Sequence, residues 1–160
     1  IGTDCVFDGK KGNYIEEDES NATDLYGRSK NLGEVIRDNC LTIRTSIIGR
    51  ELQTYHSLVE WFLSQNGKTV KGYRNAIYSG FPTKILSEII SKIITEYPKL
   101  QGLYHISSEP INKFDLLHLN SDKFRKETGF KPMDWASMIK IMAEDNFPYN
   151  DVREKLQKWS

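Results

Sequence analysis

Apolar positions along this chain fall into two kinds of run: short, β-branched stretches, and longer stripes at three- and four-residue steps. Ile1-Gly2-Thr3-Asp4-Cys5-Val6-Phe7 predicts a short buried strand with a polar tip, turned by Asp8-Gly9. Residues 10–22 are polar and include Glu16-Glu17-Asp18-Glu19, the pattern of a solvated surface loop. A cap at Thr23 or Asp24 predicts a helix to about Asp38. Leu25, Ser29, Leu32, Gly33 and Ile36 form its expected packing face, and Asn39 its end. Cys40-Leu41-Thr42-Ile43-Arg44-Thr45-Ser46 then reads as a parallel strand buried on both faces.

A loop over 47–56 leads to a short amphipathic helix over Leu58–Leu63, stopped by Asn66-Gly67. Thr69–Tyr73 and Ala76–Ser79 are strand-like. Phe81-Pro82-Thr83 starts a helix, with Thr83 as its cap, whose stripe is Ile85, Leu86, Ile89, Ile90, Ile93 and Ile94. Pro98 closes it. Gly102–Ser107 is another buried strand. Asn112 is placed to cap a helix through Phe114, Leu116 and Leu117, and two further helices follow at 121–128 and 134–144, divided by Gly129 and Pro132. Alternating strands and helices predict an α/β fold with a largely parallel sheet.

Composition narrows the function classes. The 160 residues carry 22 basic and 22 acidic side chains, so the net charge is zero and no nucleic-acid partner is expected. No run approaches the ~20 apolar residues of a membrane span. Cys5 and Cys40 lack metal-ligand spacing and read as thiols in a reducing compartment, hence the cytoplasm. His56, His105 and His118 lie too far apart in sequence to suggest a metal site, and none is expected. His105 reads as a packed core residue.

The chemistry concentrates at Leu25-Tyr26-Gly27-Arg28-Ser29-Lys30. On a helix, Tyr26 and Lys30 share a face. An ammonium beside a phenol stabilises the tyrosinate and makes it an acid–base group near neutral pH. Spacing alone fits equally an exposed aromatic with a cationic neighbour. The preceding segment adds Thr3, whose hydroxyl could polarise a carbonyl beside the phenol. It stands where an open α/β sheet places its ligand crevice.

Three motifs in order carry a resemblance: Thr3-Asp4-Cys5-Val6-Phe7-Asp8-Gly9, Tyr26-Gly27-Arg28-Ser29-Lys30 with Gly33-Glu34, and Ile43-Arg44-Thr45-Ser46. Together they resemble the extended short-chain dehydrogenase/reductases, and within these the dTDP-4-dehydrorhamnose reductase type. Gly80-Phe81-Pro82-Thr83, Gly102–Ser107 and Thr128–Pro132 are similar to later parts of the same family. The resemblance implies the C-terminal half of a Rossmann-like dinucleotide-binding domain, with the Tyr26/Lys30 helix, over residues 1–46, and a substrate-binding region, interleaved with remaining sheet strands, over 47–160. It implies NADP or NAD as cofactor and a nucleotide-activated sugar as substrate. Tyr26 would then be the proton donor, Lys30 the holder of the nicotinamide ribose, and Thr3 the partner of the keto oxygen. Thr45 and Ser46 would border the nicotinamide. Asp4, Cys5, Ile47 and Phe81 would face the sugar, the loop 47–56 and the segment 73–83 would wall its pocket, and Arg50 and Arg74 would lie near the diphosphate. A surface role for either arginine is an equal reading.

The chain departs from the family at Gly2 (often Ser), and at Cys5 and Ile47 (usually aromatic), which leaves the sugar open. The family's Gly-rich cofactor half is not here, so the chain reads as a fragment, inactive alone. A shortened or closed-up connection is expected near Leu119-Asn120. Gly27, Ser29 and Gly33 permit a close approach, for helix–sheet packing or for a homodimer of the full-length enzyme. A regulatory subunit of the same fold and a nucleotide-sugar epimerase are the alternative readings.

Overall fold

The computed structural model describes residues 1–53, 56–65, 77–112 and 122–157. In chain order the elements are a 3-10 turn (Asp4–Val6), α1 (Leu25–Leu32), β1 (Leu41–Arg44), β2 (Ile47–Ile48), α2 (Leu58–Ser64), β3 (Ile77–Tyr78) and β4 (Phe81–Pro82). Then come α3 (Thr83–Glu96), β5 (Gly102–His105), β6 (Ile111–Asn112), α4 (Asp122–Thr128), α5 (Trp135–Ala143) and α6 (Tyr149–Gln157). β1 pairs in parallel with β5, β2 in parallel with β4, and β3 antiparallel with β6. Between β1 and β5 the chain passes through α3, the crossover that a parallel pair requires. The α/β class is as the sequence predicts, delivered as three short ladders.

The core forms where α3 lies on these strands. Ile85, Leu86, Ile89 and Ile93 are buried with Ile43, Phe81, Tyr104, Ile106, Phe124 and Met138. Each such side chain contributes roughly 1.5–3 kcal/mol when fully buried. The stripe is narrower than the sequence suggests, because Ile94 is 68% exposed. Thr83 is the first helical residue and not the cap. Pro82 takes that position without a side-chain bond, its ring presetting the entry.

The N-terminal segment departs from expectation. Ile1–Phe7 is not a strand. Gly2 N–H reaches Ile43 O at 2.6 Å, and then the Thr3 hydroxyl accepts the Cys5 N–H and draws the chain into a 3-10 turn. A local side-chain bond has outcompeted the ladder. The loop after it is less solvated than its charges imply. Tyr14 stacks on Phe7 with ring centroids 4.2 Å apart, and the Glu16 carboxylate accepts the His105 backbone N–H at 2.7 Å. Arg44, 3% exposed, donates to both Glu34 oxygens at 2.8 and 2.7 Å and to Ser20 at 2.9 Å. His105 is fully buried, as its place in a strand predicts, with Nδ1 3.2 Å from Tyr14 O.

Helix α1 is capped by Asp24, whose carboxylate accepts Gly27 N–H at 2.9 Å. It stops at Leu32, well short of Asp38, because the Gly33 N–H turns back to Ser29 and Lys30 carbonyls. The Thr42 hydroxyl then holds Val35 O at 2.7 Å in a non-helical segment, and Asn39 sits in a left-handed turn at φ 60°. Its expected packing face is exposed: Leu25 and Leu32 at 85%, Ile36 at 59%. The buried residue is Gly27.

Asn112 lies in β6 rather than capping a helix. The helix expected through Phe114–Leu117, the strand at Thr69–Tyr73, the stop at Asn66-Gly67, Arg74 and the Leu119-Asn120 connection lie outside the described residues. Helix α6 has no counterpart in the sequence reading. Arg153 anchors it, 4% exposed, donating to Glu51 O and to the Glu60 carboxylate, which also receives Arg50 Nε at 2.6 Å.

Candidate active site

Two elements meet at the N-terminal corner of the fold. The turn Asp4–Val6 packs on α1 so tightly that a Cβ on Gly27 would overlap the Cys5 carbonyl oxygen and the Ala22 side chain. Glycine is the residue that permits this approach. The contact places the Thr3-bearing turn directly against the helix that carries Tyr26 and Lys30.

Tyr26 is 56% exposed, and Lys30, one turn on, is half-buried. The Ser29 hydroxyl donates to Tyr26 O at 2.8 Å and fixes the backbone there. Among the described residues no hydrogen bond or ion pair engages the Tyr26 hydroxyl or the Lys30 ammonium.

Thr3 is 8% exposed and donates to Asp4 Oδ1 at 3.2 Å. Asp4 is the residue whose state the sequence did not reveal. Its carboxyl is 1% exposed, and its Oδ2 makes no hydrogen bond among the described residues. Burial pushes it up to about 6, against the pull of Thr3, Cys5 and Ser46. Cys5 Sγ lies 3.6 Å from Asp4 Oδ1, and burial first, then the Asp4 charge, pushes the thiol up. Cys5 and Cys40 are both free thiols.

The strand end after β1 completes the corner. Thr45 is 2% exposed with a hydroxyl that has no partner among the described residues. Ser46 stands beside Asp4 and also beside Tyr78, which the sequence gives no role of its own. Burial pushes the Tyr78 phenol above its usual range. Ser46 pulls it down, and the Asp4 charge adds to the rise. Gly80 makes room, since a Cβ there would overlap the Tyr78 hydroxyl and Ser46 O. A strand-like alternation and the resemblance over 73–83 both take in Tyr78, and neither says which buried phenol meets a carboxylate.

Tyr78 also lines a cavity of about 740 Å³ that runs toward α5 and α6. Ile48, Val59, Leu63, Ile139, Met142 and Phe147 form much of its wall, with Arg50 and Tyr149 among them. Of the candidate residues that are described, Arg50 lines it. Thr3, Asp4, Cys5 and Ser46 cluster, and Ile47 is 52% exposed beside them in sequence. Arg50 reaches the cavity, but Glu60 holds its guanidinium. Phe81 is fully buried in the core against Phe130 and is not among the cavity's lining residues. Its backbone does serve the corner, pairing with Ile47 and donating to Ser46 O at 2.9 Å. Among the described residues no group of His, Cys, Asp or Glu is arranged to hold a metal, and no helix is long and apolar enough to cross a membrane.

The fold defines the class first: an α/β protein of Rossmann-like type. A dTDP-4-dehydrorhamnose reductase from Bacillus anthracis, crystallised with NADP, shares this fold at a TM-score of 0.65 and 20% identity, over 89% of this chain and 63% of that one. The chain belongs to the RmlD substrate binding domain family, whose model matches residues 1–148. It is 34% identical over 119 residues to the spore coat polysaccharide biosynthesis protein SpsK of Bacillus subtilis, and 31% identical over 119 residues to the dTDP-4-dehydrorhamnose reductase of Aggregatibacter actinomycetemcomitans. Each match covers 69% of this chain and 40% of the relative, so the chain spans about two fifths of their length.

Proposed function

We propose that the whole protein carrying this chain reduces the 4-keto group of a nucleotide-activated deoxysugar, in polysaccharide or deoxysugar synthesis. The observation that carries this reading is the Gly27–Cys5 approach, which sets a hydroxyl-bearing turn against the Tyr26/Lys30 helix. A nicotinamide cofactor, NADP or NAD, supplies the hydride when bound. The unengaged, half-buried Lys30 beside an exposed phenol fits the ribose end of such a group.

In this reading Tyr26 gives its proton to the substrate oxygen, and Lys30 favours the resulting tyrosinate while holding the ribose hydroxyls. Thr3 turns its one hydroxyl proton from Asp4 Oδ1 to the keto oxygen. Asp4 accepts from a sugar hydroxyl, which answers its unsatisfied Oδ2. Thr45 and Ser46 border the nicotinamide, and the cavity beyond Tyr78 takes the rest of the sugar nucleotide. With Cys5 and Ile47 in place of rings, the sugar is held by hydrogen bonds more than by stacking. The two free thiols support a reducing, cytoplasmic setting. A homodimer of the whole protein belongs to the same reading, and its mass in solution tests it.

The test is oxidation of NADPH or NADH by the whole protein with dTDP- and UDP-4-keto-6-deoxysugars. Tyr26→Phe is expected to lower turnover by roughly 10²–10⁴-fold with cofactor affinity retained. Near-normal turnover in that variant removes Tyr26 from the acid role. Sugar interconversion without net cofactor oxidation points instead to an epimerase.

A further inference from the structure

The family match ends at residue 148, and α6 begins at Tyr149. Yet Tyr149, Asn150 and Asp151 line the large cavity that opens beside Tyr78. That part of the wall lies beyond the matched span, while the rest of the lining lies within it.

Its attachment is specific. Arg153 spans from α6 to α2 and the loop before it, through the Glu60 carboxylate and the Glu51 carbonyl. Burial pushes the Glu60 carboxyl up, and the Arg50 and Arg153 guanidiniums more than reverse that, so it stays anionic. Arg50, held by the same carboxylate, lies over the Tyr149 ring at 5.5 Å, and Phe147 meets that ring edge-on at 4.7 Å. The Tyr149 hydroxyl donates to Asp145 Oδ2 at 2.7 Å. Arg50, Phe147 and Asp145 thus hold the ring at three points as part of the wall.

The electrostatics choose what this end can accept. Asp145 and Asp151 both line it, and the Tyr149 hydrogen bond holds the Asp145 carboxyl below its usual range. Arg50 and Arg153 share the one Glu60 carboxylate, which leaves that cluster with one positive charge against the two aspartates. The end is left net negative, and with Ile48, Val59, Leu63 and Met142 in the same lining it favours an uncharged, partly apolar group over a diphosphate.

The geometry points to α6 as a specificity element, with Tyr149 touching the uncharged portion of the sugar nucleotide and Arg153 acting as a positioning residue. This rests on the proposed reaction class. The nucleobase and the deoxysugar share the required chemistry, and the experiment separates them.

Tyr149→Ala, Arg153→Met and Arg153→Lys are made in the whole protein. Calorimetry measures dTDP affinity, kinetics measure kcat and KM for the dTDP-4-keto-6-deoxysugar, and melting confirms folding. Tyr149→Ala is expected to raise KM roughly tenfold with a much smaller change in kcat. A parallel loss of dTDP affinity assigns the contact to the base, and an unchanged dTDP affinity assigns it to the sugar. Arg153→Met is expected to reproduce the KM effect, and Arg153→Lys to restore part of it. Folded Tyr149→Ala with wild-type KM and wild-type dTDP affinity overturns the inference. A wild-type protein that binds dTDP but reduces no keto sugar removes the reaction. Weakened dTDP binding by Tyr149→Ala in that protein still supports the role of α6.

Discussion

The α-carbon of Gly27 stands so close to the Cys5 carbonyl oxygen that no side chain fits between them. This one approach joins the Tyr26/Lys30 helix to the Thr3 turn. Gly27→Ala is expected to cost about 1–3 kcal/mol, the usual range for overpacking, and to lower turnover further by pushing the turn off the helix. Gly33→Ala is the control, since nothing lies nearer than 3.6 Å to a Cβ there. Urea unfolding and kcat, measured on both variants, check the pair. Equal effects at 27 and 33 count against the close approach.

Asp4 makes stability depend on pH in an unusual direction. Its folded pKa is about 6 against an ordinary 3.8, so the folded state holds the proton more tightly than the unfolded chain. Its contribution is full below about pH 4 and is lost as pH rises through 6, by roughly 3 kcal/mol from 1.4 kcal/mol per unit. Asp4→Asn removes that loss. The variant's melting temperature, relative to wild type, is expected to be higher at pH 7.5 than at pH 5. The same difference at both values would show that Asp4 ionises normally.

Arg44 and Glu34 form a bidentate pair with both side chains 4% exposed. Such a pair is strongly destabilising when one partner alone is removed. Glu34→Gln is expected to cost about 3–5 kcal/mol and to loosen the 10–22 loop that Ser20 ties to Arg44. Urea midpoints measure the first effect and amide exchange at Tyr14 the second. A loss below about 1 kcal/mol would place the pair among ordinary surface bridges.

Thr3 has a structural and a proposed chemical task, and two variants separate them. Thr3→Val removes the hydroxyl that accepts from Cys5 N–H, whereas Thr3→Ser keeps it. Turnover is expected to fall by about 10²-fold in the valine variant and by less than tenfold in the serine variant. Stability should change by about 1 kcal/mol in the valine form. Thr3→Val with unchanged kcat in a folded protein would leave the keto oxygen without its proposed donor.

Much was legible along the chain because it depends on short-range order. The parallel pairing of β1 was written in Cys40–Ser46, where β-branched residues run without a polar face. The stripe at Ile85, Leu86, Ile89 and Ile93 gave α3, and Asp24 gave the start of α1. The Tyr26/Lys30 spacing needed only helical geometry to put both on one face.

Other features turned on which surfaces meet. Periodicity marks an apolar row but not its partner, so Leu25 and Leu32 looked like a packing face and stand exposed, while Gly27 carries the contact. Hydrogen-bond competition made a turn of Ile1–Phe7, and an inward Tyr14 drew an acidic loop onto the sheet. Arg50 read as a free cation until Glu60 and Arg153, far along the chain, arrived to claim it. Sequence determined the start of α1, the strands β1 and β5, helix α3, the family and the candidate acid. The tertiary structure alone decided the buried Asp4–Ser46–Tyr78 corner and the α6 wall, because burial and charge pairing arise only between segments distant in sequence.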